Sequence, residues 1–511
     1  MSPSFLFISS VSVLATLGLL IIPIIAYLTF LKRGKNPRQD GDQLPPSPPR
    51  LPIIGNLHQL GRLPHRSLWE LSRRYGPVMM LHLGNVPTLV VSSAETAREV
   101  LKTHDADTCS RPASLAPGRL SYNYLDIVFS PYTNHWRELR KLFMLELMST
   151  KRAHLFWQAR EAEVDALVVF LRENAGKTVE MNGRLFTMMD KIVGTVAFGK
   201  MYGTDQFGGK SFQGVLDEAM NMLDGFSAEE FFPGWGQTVD RLMGKASRLE
   251  EIFEILDRYY QYVIDEHRKP LRTSNEHEIG DFVDVLLDLQ RDPKNKLALT
   301  NDHIKAILMN TFIGGISTTA ITILWVMSEL VKNPGVLSKA QDEIRSCIGK
   351  KPMVERDDIS KLPYLRMVVK ETLRLHPPLA LLIPRETVRP CQIGGYDVPA
   401  RTRVLINAWG IGRDLRSWER PEDFDPDRFE KVERDFRGQD YELIPFGAGR
   451  RTCPGIMMGV TTTEFTLANL LYSFNWNLPE GAKIRDFSME EEGGLTTHRK
   501  MPLLLVPTMY N

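Results

Sequence analysis

Residues 445–455 read PFGAGRRTCPG and bring one thiol, Cys453, into a glycine-rich loop beside Arg450 and Arg451. A thiolate that holds a metal must stay charged in apolar surroundings, so it needs N–H donors and positive potential close by. This segment can supply both. Backbone N–H groups of the loop can turn toward sulfur, and Pro454 suits a first helical position. The apolar helical pattern that begins at Ile456 would bring a positive helix end to the thiol. The other cysteines, Cys109, Cys347 and Cys391, are widely spaced with no C-x-x-C pair. That spacing argues against a disulfide framework or structural zinc, and these three read as small buried hydrophobes.

Three further segments carry groups that could act with this thiol. The first is GGISTTA, residues 314–320, inside a long apolar pattern. Two adjacent glycines inside a helix cost roughly 1 kcal/mol each relative to alanine, so they point to a close approach or a kink. Ser317 and Thr319 there can bond back to a carbonyl four residues earlier. The second is KETLRLHPP, which sets Glu371 and Arg374 on one helix face. The third is HWRELRK, with Trp136 and Arg140 one helical turn apart.

Phe446, Gly449, Arg451, Cys453 and Gly455 together reproduce F-x-x-G-x-R-x-C-x-G, and on this motif the chain resembles the cytochrome P450 family. The PPSPP arm, RYGPVMMLHLG and PFGAGRRTCPG look most like plant microsomal A-type members, and the resemblance covers about residues 45–507. It implies heme b, its iron held by Cys453, with Phe446 in the cofactor loop. It also implies that Arg451, the W-x-x-x-R pair Trp136 and Arg140, and Arg385 of IPRET reach the haem propionates. Arginine forks suit buried carboxylates. Glu371 and Arg374, with Arg428 of PDRF, match the family's buried E-x-x-R and arginine network.

The family's oxygen-activating motif places an acid before a threonine. Here Thr318 is retained and Ser317 stands where the acid is expected. By resemblance Thr318 hydrogen-bonds dioxygen and positions water, while Ser317 can relay a proton but cannot hold a carboxylate's charge. The implied enzyme is a monooxygenase that inserts one atom of O2 into a hydrophobic small molecule, such as a plant terpenoid, phenolic, alkaloid or oxime. Its electrons come from NADPH through NADPH-cytochrome P450 reductase, since the chain has no flavin or nicotinamide fingerprint of its own. The exchange at Ser317 leaves two alternatives open: a member that catalyses dehydration or rearrangement, and a non-catalytic haem-binding protein.

These groups need a large scaffold to hold them. The chain has 511 residues, 43% hydrophobic, so it can bury a sizeable core. Lys plus Arg is 63 against 62 for Asp plus Glu, and this balance leaves no global field for nucleic acid. Helix-like spacing at residues 68–75, 93–104, 135–148, 160–174, 247–267, 281–289, 303–331 and 334–347 predicts a mainly α fold. Strand-like runs at 78–84 and 88–93, and a hairpin punctuated by Gly394 and Gly395, add a minor β region. Polar stretches at 202–210 and 271–278 read as surface connections.

Residues 5–31 carry no charge and are long enough to cross a bilayer. Lys32, Arg33, Lys35 and Arg38 follow, so residues 1–31 read as an uncleaved signal anchor with the rest cytosolic. Residues 32–50 form a basic, proline-rich arm and 51–511 the haem-binding catalytic domain. The expected location is the endoplasmic reticulum membrane, with a single pass. By resemblance, substrate-contact regions map to 121–129, 310–314, 379–383, and Leu495 with Thr496. Arg137, Lys141, Lys151 and Arg152 are expected to face the acidic reductase.

Overall fold

The computed structural model describes residues 43–149, 152–199, 212–225, 227–269 and 280–510. The anchor, the arm as far as residue 42, Lys151 and the connections 202–210 and 271–278 lie outside the described residues. What remains of the arm is packed on the body. The Pro46 carbonyl accepts the Met80 N–H at 2.8 Å, and the Asn56 amide donates to the Pro49 carbonyl at 3.2 Å.

Helices dominate, with a minor β region. Five helices position the site: α1 (Asn134–Leu142), α2 (Asn301–Gly315), α3 (Ser317–Lys332), α4 (Pro363–Leu375) and α5 (Ile456–Ser473). Three of them have a clear local start signal. Thr133 caps α1 by accepting the Trp136 N–H at 3.2 Å, and Thr300 with His303 forms a capping box at the start of α2. Proline occupies the first turn of α4, where its missing N–H is harmless. Helix α3 is the centre of the core, packed against α4, α5 and Met181–Phe198, with Trp325 fully buried. The continuous span 301–332 is apolar enough to cross a membrane, yet most of it is enclosed by protein.

The main sheet runs in the order β1–β2–β4–β3, with β1 (Val78–Leu83), β2 (Val86–Val91), β3 (Arg385–Glu386) and β4 (Arg403–Ile406). β1 and β2 form a hairpin that pairs Leu83 with Val86, while β2 and β4 are parallel. A second hairpin pairs Ile393 with Tyr396 around Gly394 and Gly395, as their spacing predicts.

The structure departs from the predicted elements in instructive places. The pattern over 303–331 is two helices, broken at Ile316 with φ −82° and ψ −70°. The pattern over 135–148 ends in a π-helical turn at Phe143–Leu147. Helices Met181–Phe198 and Phe212–Asp224 have no counterpart among the predicted ones. The first is buried on most sides, so its apolar residues do not make a stripe of helical period. Of the cysteines expected as buried hydrophobes, Cys109 is buried, Cys391 half-buried and Cys347 exposed.

Candidate active site around Cys453

The thiol loop folds back on itself before α5. The Cys453 N–H donates to the Phe446 carbonyl at 3.0 Å, and a short 3-10 turn at Gly449–Arg451 carries the two arginines. Gly449 has φ +70°, and a Cβ there would lie 2.3 Å from the Leu101 carbonyl oxygen. No side chain fits that position without moving backbone, so Gly449→Ala should leave little haem-loaded protein. Strain of this kind is about 1–3 kcal/mol before the collision is counted. Haem content per mole of purified variant is the measurement. Pro454 lies one residue before the cap, because α5 begins at Ile456 with Gly455 as its N-cap.

Burial pushes the Cys453 thiol pKa up, while the Gly455 N–H and the Arg140 guanidinium pull it back. The opposing donors are those a buried thiolate requires. Arg140 is itself held low by burial and raised by Cys453, and it donates to the Thr452 carbonyl.

Cys453 lines a cavity enclosing about 1740 Å3 of empty space, its mouth included. Gly314, Gly315 and Thr318, at the α2–α3 break, line the same cavity as Cys453. The two glycines have different reasons to be there. A Cβ on Gly315 would lie 2.9 Å from the Val193 side chain, whereas one on Gly314 would meet nothing within 4 Å. Gly315 permits packing, and Gly314 leaves open space. Thr318 donates its hydroxyl to the Gly314 carbonyl at 2.7 Å.

Ser317 is half-buried and outside the cavity lining, one residue from Thr318 but on a different helix face. Back-bonding on these two helices falls to Thr311, Thr318, Thr322 and Ser328.

Arg111, Arg140, Arg385 and Arg451 all line the cavity. Arg451 donates to the carbonyls of Cys109 at 2.8 Å and Ser130 at 2.6 Å, and its guanidinium sits 3.9 Å over the Trp136 ring. Trp136 is therefore behind Arg451 and not on the cavity wall; its indole N–H donates to the Ile127 carbonyl at 2.9 Å. Arg385, on β3, pairs with Asp105 at 2.7 Å and donates to the Ala448 carbonyl at 2.9 Å. Phe446 packs edge-on against Phe436 and lines the cavity.

Arg111 had no signal in the sequence beyond an arginine in SRP. It is buried and donates to the carbonyls of Val128, Ile383 and Pro384 at 2.9, 2.6 and 2.7 Å. Burial, then Arg451 and Arg385, hold its pKa well below the ordinary value. Arg451 is lowered to about 10, chiefly by burial. A cluster of buried guanidiniums that rest on carbonyls and depress one another attracts anions. The two propionates of heme b have the charge this cluster lacks, so the residues present fit the group.

The substrate-contact expectations gather at the same cavity: Val128 and Phe129, Asn310 and Thr311, Leu382 and Ile383, and Leu495 with Thr496 all line it. Met220, on the unpredicted helix Phe212–Asp224, joins them. Beneath, Glu371 and Arg374 are fully buried and joined by two hydrogen bonds of 2.8 and 2.7 Å, and Arg428 donates to Glu371 at 2.9 Å. On the outer face, Arg137 and Lys141 are exposed along α1. Arg152 is tied to the carbonyls of Glu146 and Gly280.

A mainly helical domain with a thiol loop facing a broken core helix, and buried arginines at one side, defines a haem-thiolate protein. The chain belongs to the cytochrome P450 family, whose profile matches residues 45–506. It is 54% identical to the 4-hydroxyphenylacetaldehyde oxime monooxygenase of Sorghum bicolor, over 97% of this chain and 95% of that protein. It is 47% identical to the 2-methylbutanal oxime monooxygenase of Manihot esculenta, over 97% and 96% respectively. A solved zebra fish cytochrome P450 structure with abiraterone superposes with a TM-score of 0.74 at 25% identity, covering 88% of this chain and all of that one. The protein is a plant A-type cytochrome P450 monooxygenase that binds heme b. Dehydration or rearrangement without oxygen insertion, and haem binding without catalysis, are not favoured beside relatives of this kind.

Proposed function

We propose that the chain oxygenates an aldehyde oxime of plant specialised metabolism at the cavity between Cys453 and Thr318. The observation that carries this reading is the cavity itself. Its far wall is mostly apolar, with Asn310, Thr311 and Thr496 as scattered polar groups. An oxime has one small polar end on an apolar body, which such a wall can hold by shape with few anchors. The two oxime monooxygenases among its relatives support the same class.

Bound at Cys453, haem would supply oxygen activation, with the thiolate as its electron-rich ligand. The chain's own residues supply the rest. Cys453 is the iron ligand. Arg140, Arg385 and Arg451 hold the propionates, Trp136 stacks behind Arg451, and Phe446 shields the thiolate side. Thr318, released from the Gly314 carbonyl, offers a hydroxyl to a proton route through water. Ser317, off the cavity wall, would reach this route only through intervening water.

With purified holoenzyme, reductase and NADPH, 4-hydroxyphenylacetaldehyde oxime and 2-methylbutanal oxime should each shift the Soret band and be consumed only when O2 is present. Turnover without O2 would sink the monooxygenase reading, and a silent spectrum with both probes would sink the oxime. In Thr318→Ala, NADPH consumption should persist while product per NADPH falls about a hundredfold, the low end for loss of a positioned proton donor.

The redox partner in this reading is the membrane-bound NADPH-cytochrome P450 reductase. Residues 1–31 anchor the chain in the endoplasmic reticulum membrane with a single pass, residues 32–50 form the arm, and the catalytic domain of residues 51–511 faces the cytosol. Arg137 and Lys141, exposed on α1 over the thiolate side, together with Lys151 and Arg152, dock its acidic face. Neutralising Arg137 and Lys141 should raise KM for reductase several-fold at low salt, by about 1 kcal/mol or less per charge, with the gap closing at high salt. A KM insensitive to both changes would remove the docking role.

A further inference from the structure

We propose that Asn310 is a positioning residue that locks the loop 126–130, and with it the propionate-side arginine Arg451, to the helix that carries the oxygen-side kink. The inference rests on the haem-thiolate reading of this site.

Asn310 lies one helical turn before Gly314 on α2 and is buried beside the cavity. Its Oδ1 accepts two N–H groups from the loop, Ile127 at 3.0 Å and Val128 at 3.2 Å. Two donors on one atom fix the orientation of the amide, so the NH2 end points the other way. The loop's next anchor is Asp126, which is fully buried. Its Oδ2 accepts Val128 N–H at 3.1 Å and Phe129 N–H at 2.9 Å, and the Asn310 amide faces the same carboxylate. Burial raises the Asp126 pKa, and the Phe129 N–H and the Asn310 amide pull it down. Arg111, Arg451 and Tyr124 also face this carboxylate electrostatically.

The same loop spends its carbonyls on the other side of the cavity. Ile127 accepts the Trp136 indole, Val128 accepts Arg111, and Ser130 accepts Arg451. A short stretch of backbone thus takes its N–H partners from Asn310 and Asp126 and gives its carbonyls to Trp136, Arg111 and Arg451. Among the described residues of α2, Asn310 alone hydrogen-bonds this loop, so if it lets go Arg451 and Trp136 lose their register to the kink. The effect belongs to the loop and needs no contact between Asn310 and substrate.

The test compares Asn310→Ala, Asn310→Asp and the exchange of Asp126→Asn with Asn310→Asp, all as holoenzyme. One readout is the rate of haem transfer to excess apo-globin, taken relative to wild type at each pH; it requires no substrate, so failure of the oxime reading leaves it intact. The other is product per NADPH with 4-hydroxyphenylacetaldehyde oxime, if wild type turns it over. Asn310→Ala should keep the reduced carbon monoxide band at about 450 nm, since the thiolate is untouched. Its haem loss should quicken about tenfold, the size usual for a lost outer-shell partner.

Asn310→Asp should depend on pH. Protonated, the acid offers the loop a carbonyl oxygen and Asp126 an O–H, as asparagine does. Ionised, it sets a second carboxylate against a buried one, and both cannot stay charged. Haem loss should therefore sit near wild type at acidic pH and rise about tenfold as pH increases. The exchange variant restores one amide and one carboxylate and should remove that pH dependence. Asn310→Ala and Asn310→Asp matching wild type at every pH would overturn the proposal. So would an exchange variant no better than Asn310→Asp alone, which decides the matter if Asn310→Ala fails to accumulate.

Discussion

Cys453→Ser should yield a folded protein whose reduced carbon monoxide complex has no band at about 450 nm and which forms no product with reductase and NADPH. A hydroxyl is a much weaker donor to iron than a thiolate, and at neutral pH it is not ionised. The surrounding loop has no need of the sulfur for its own fold: the Cys453 N–H still reaches the Phe446 carbonyl, and Gly449 still makes the turn. What the variant loses is the charge that the Gly455 N–H and Arg140 are placed to hold. Among single substitutions this one should have the largest effect on function. A serine variant that kept the thiolate band, or turned over any substrate with NADPH, would remove Cys453 as the ligand and with it the whole reading of the cavity.

The largest effect on stability is expected one layer below, at Glu371. Its carboxylate receives both Arg374 nitrogens, the Arg428 Nε and the Asp425 N–H, all within 2.9 Å and with no exposure of the acid. Arg374 in turn donates to the carbonyls of Gly412 and Pro421 at 2.6 and 2.7 Å, and so ties α4 to the segment that leads into the thiol loop. Glu371→Ala leaves a fully buried guanidinium without its counter-charge. Breaking a buried pair from one side costs about 3–5 kcal/mol, a large share of the 5–15 kcal/mol a folded protein has. Holoenzyme should be scarce, and what forms should unfold at much lower denaturant. Glu371→Gln keeps the shape and some hydrogen bonds and should lose less. Denaturant titration followed by the Soret band measures both; an alanine variant within about 1 kcal/mol of wild type would show that the network is not the prop of the loop.

Much of this architecture is legible as local pattern. Glu371 and Arg374 share a helix face because of their spacing alone, and the glycine pair at 314–315 announces a break in an otherwise strong helix. The cap residues Thr133 and Thr300 sit where α1 and α2 begin. Met181–Phe198 is missed because it is buried on most sides, and amphipathic period is a signal of half-burial. Arg111 is missed for another reason. Its partners are carbonyls of residues 128, 383 and 384, and a carbonyl has no residue type to read.

By itself the sequence determined the thiol loop, the acid–arginine network, the family and the chemistry those imply, because each depends on residue types at fixed short spacings. Only the tertiary structure decided which polar groups share the cavity. It put Thr318 on the wall of the cavity that Cys453 lines and left Ser317 off it. It also gave Arg385 to Asp105, placed Trp136 behind Arg451, and joined Asn310 to a loop 183 positions away. The physical reason is that a helix face is set by its own period, whereas what lies across a cavity is set by how distant elements pack.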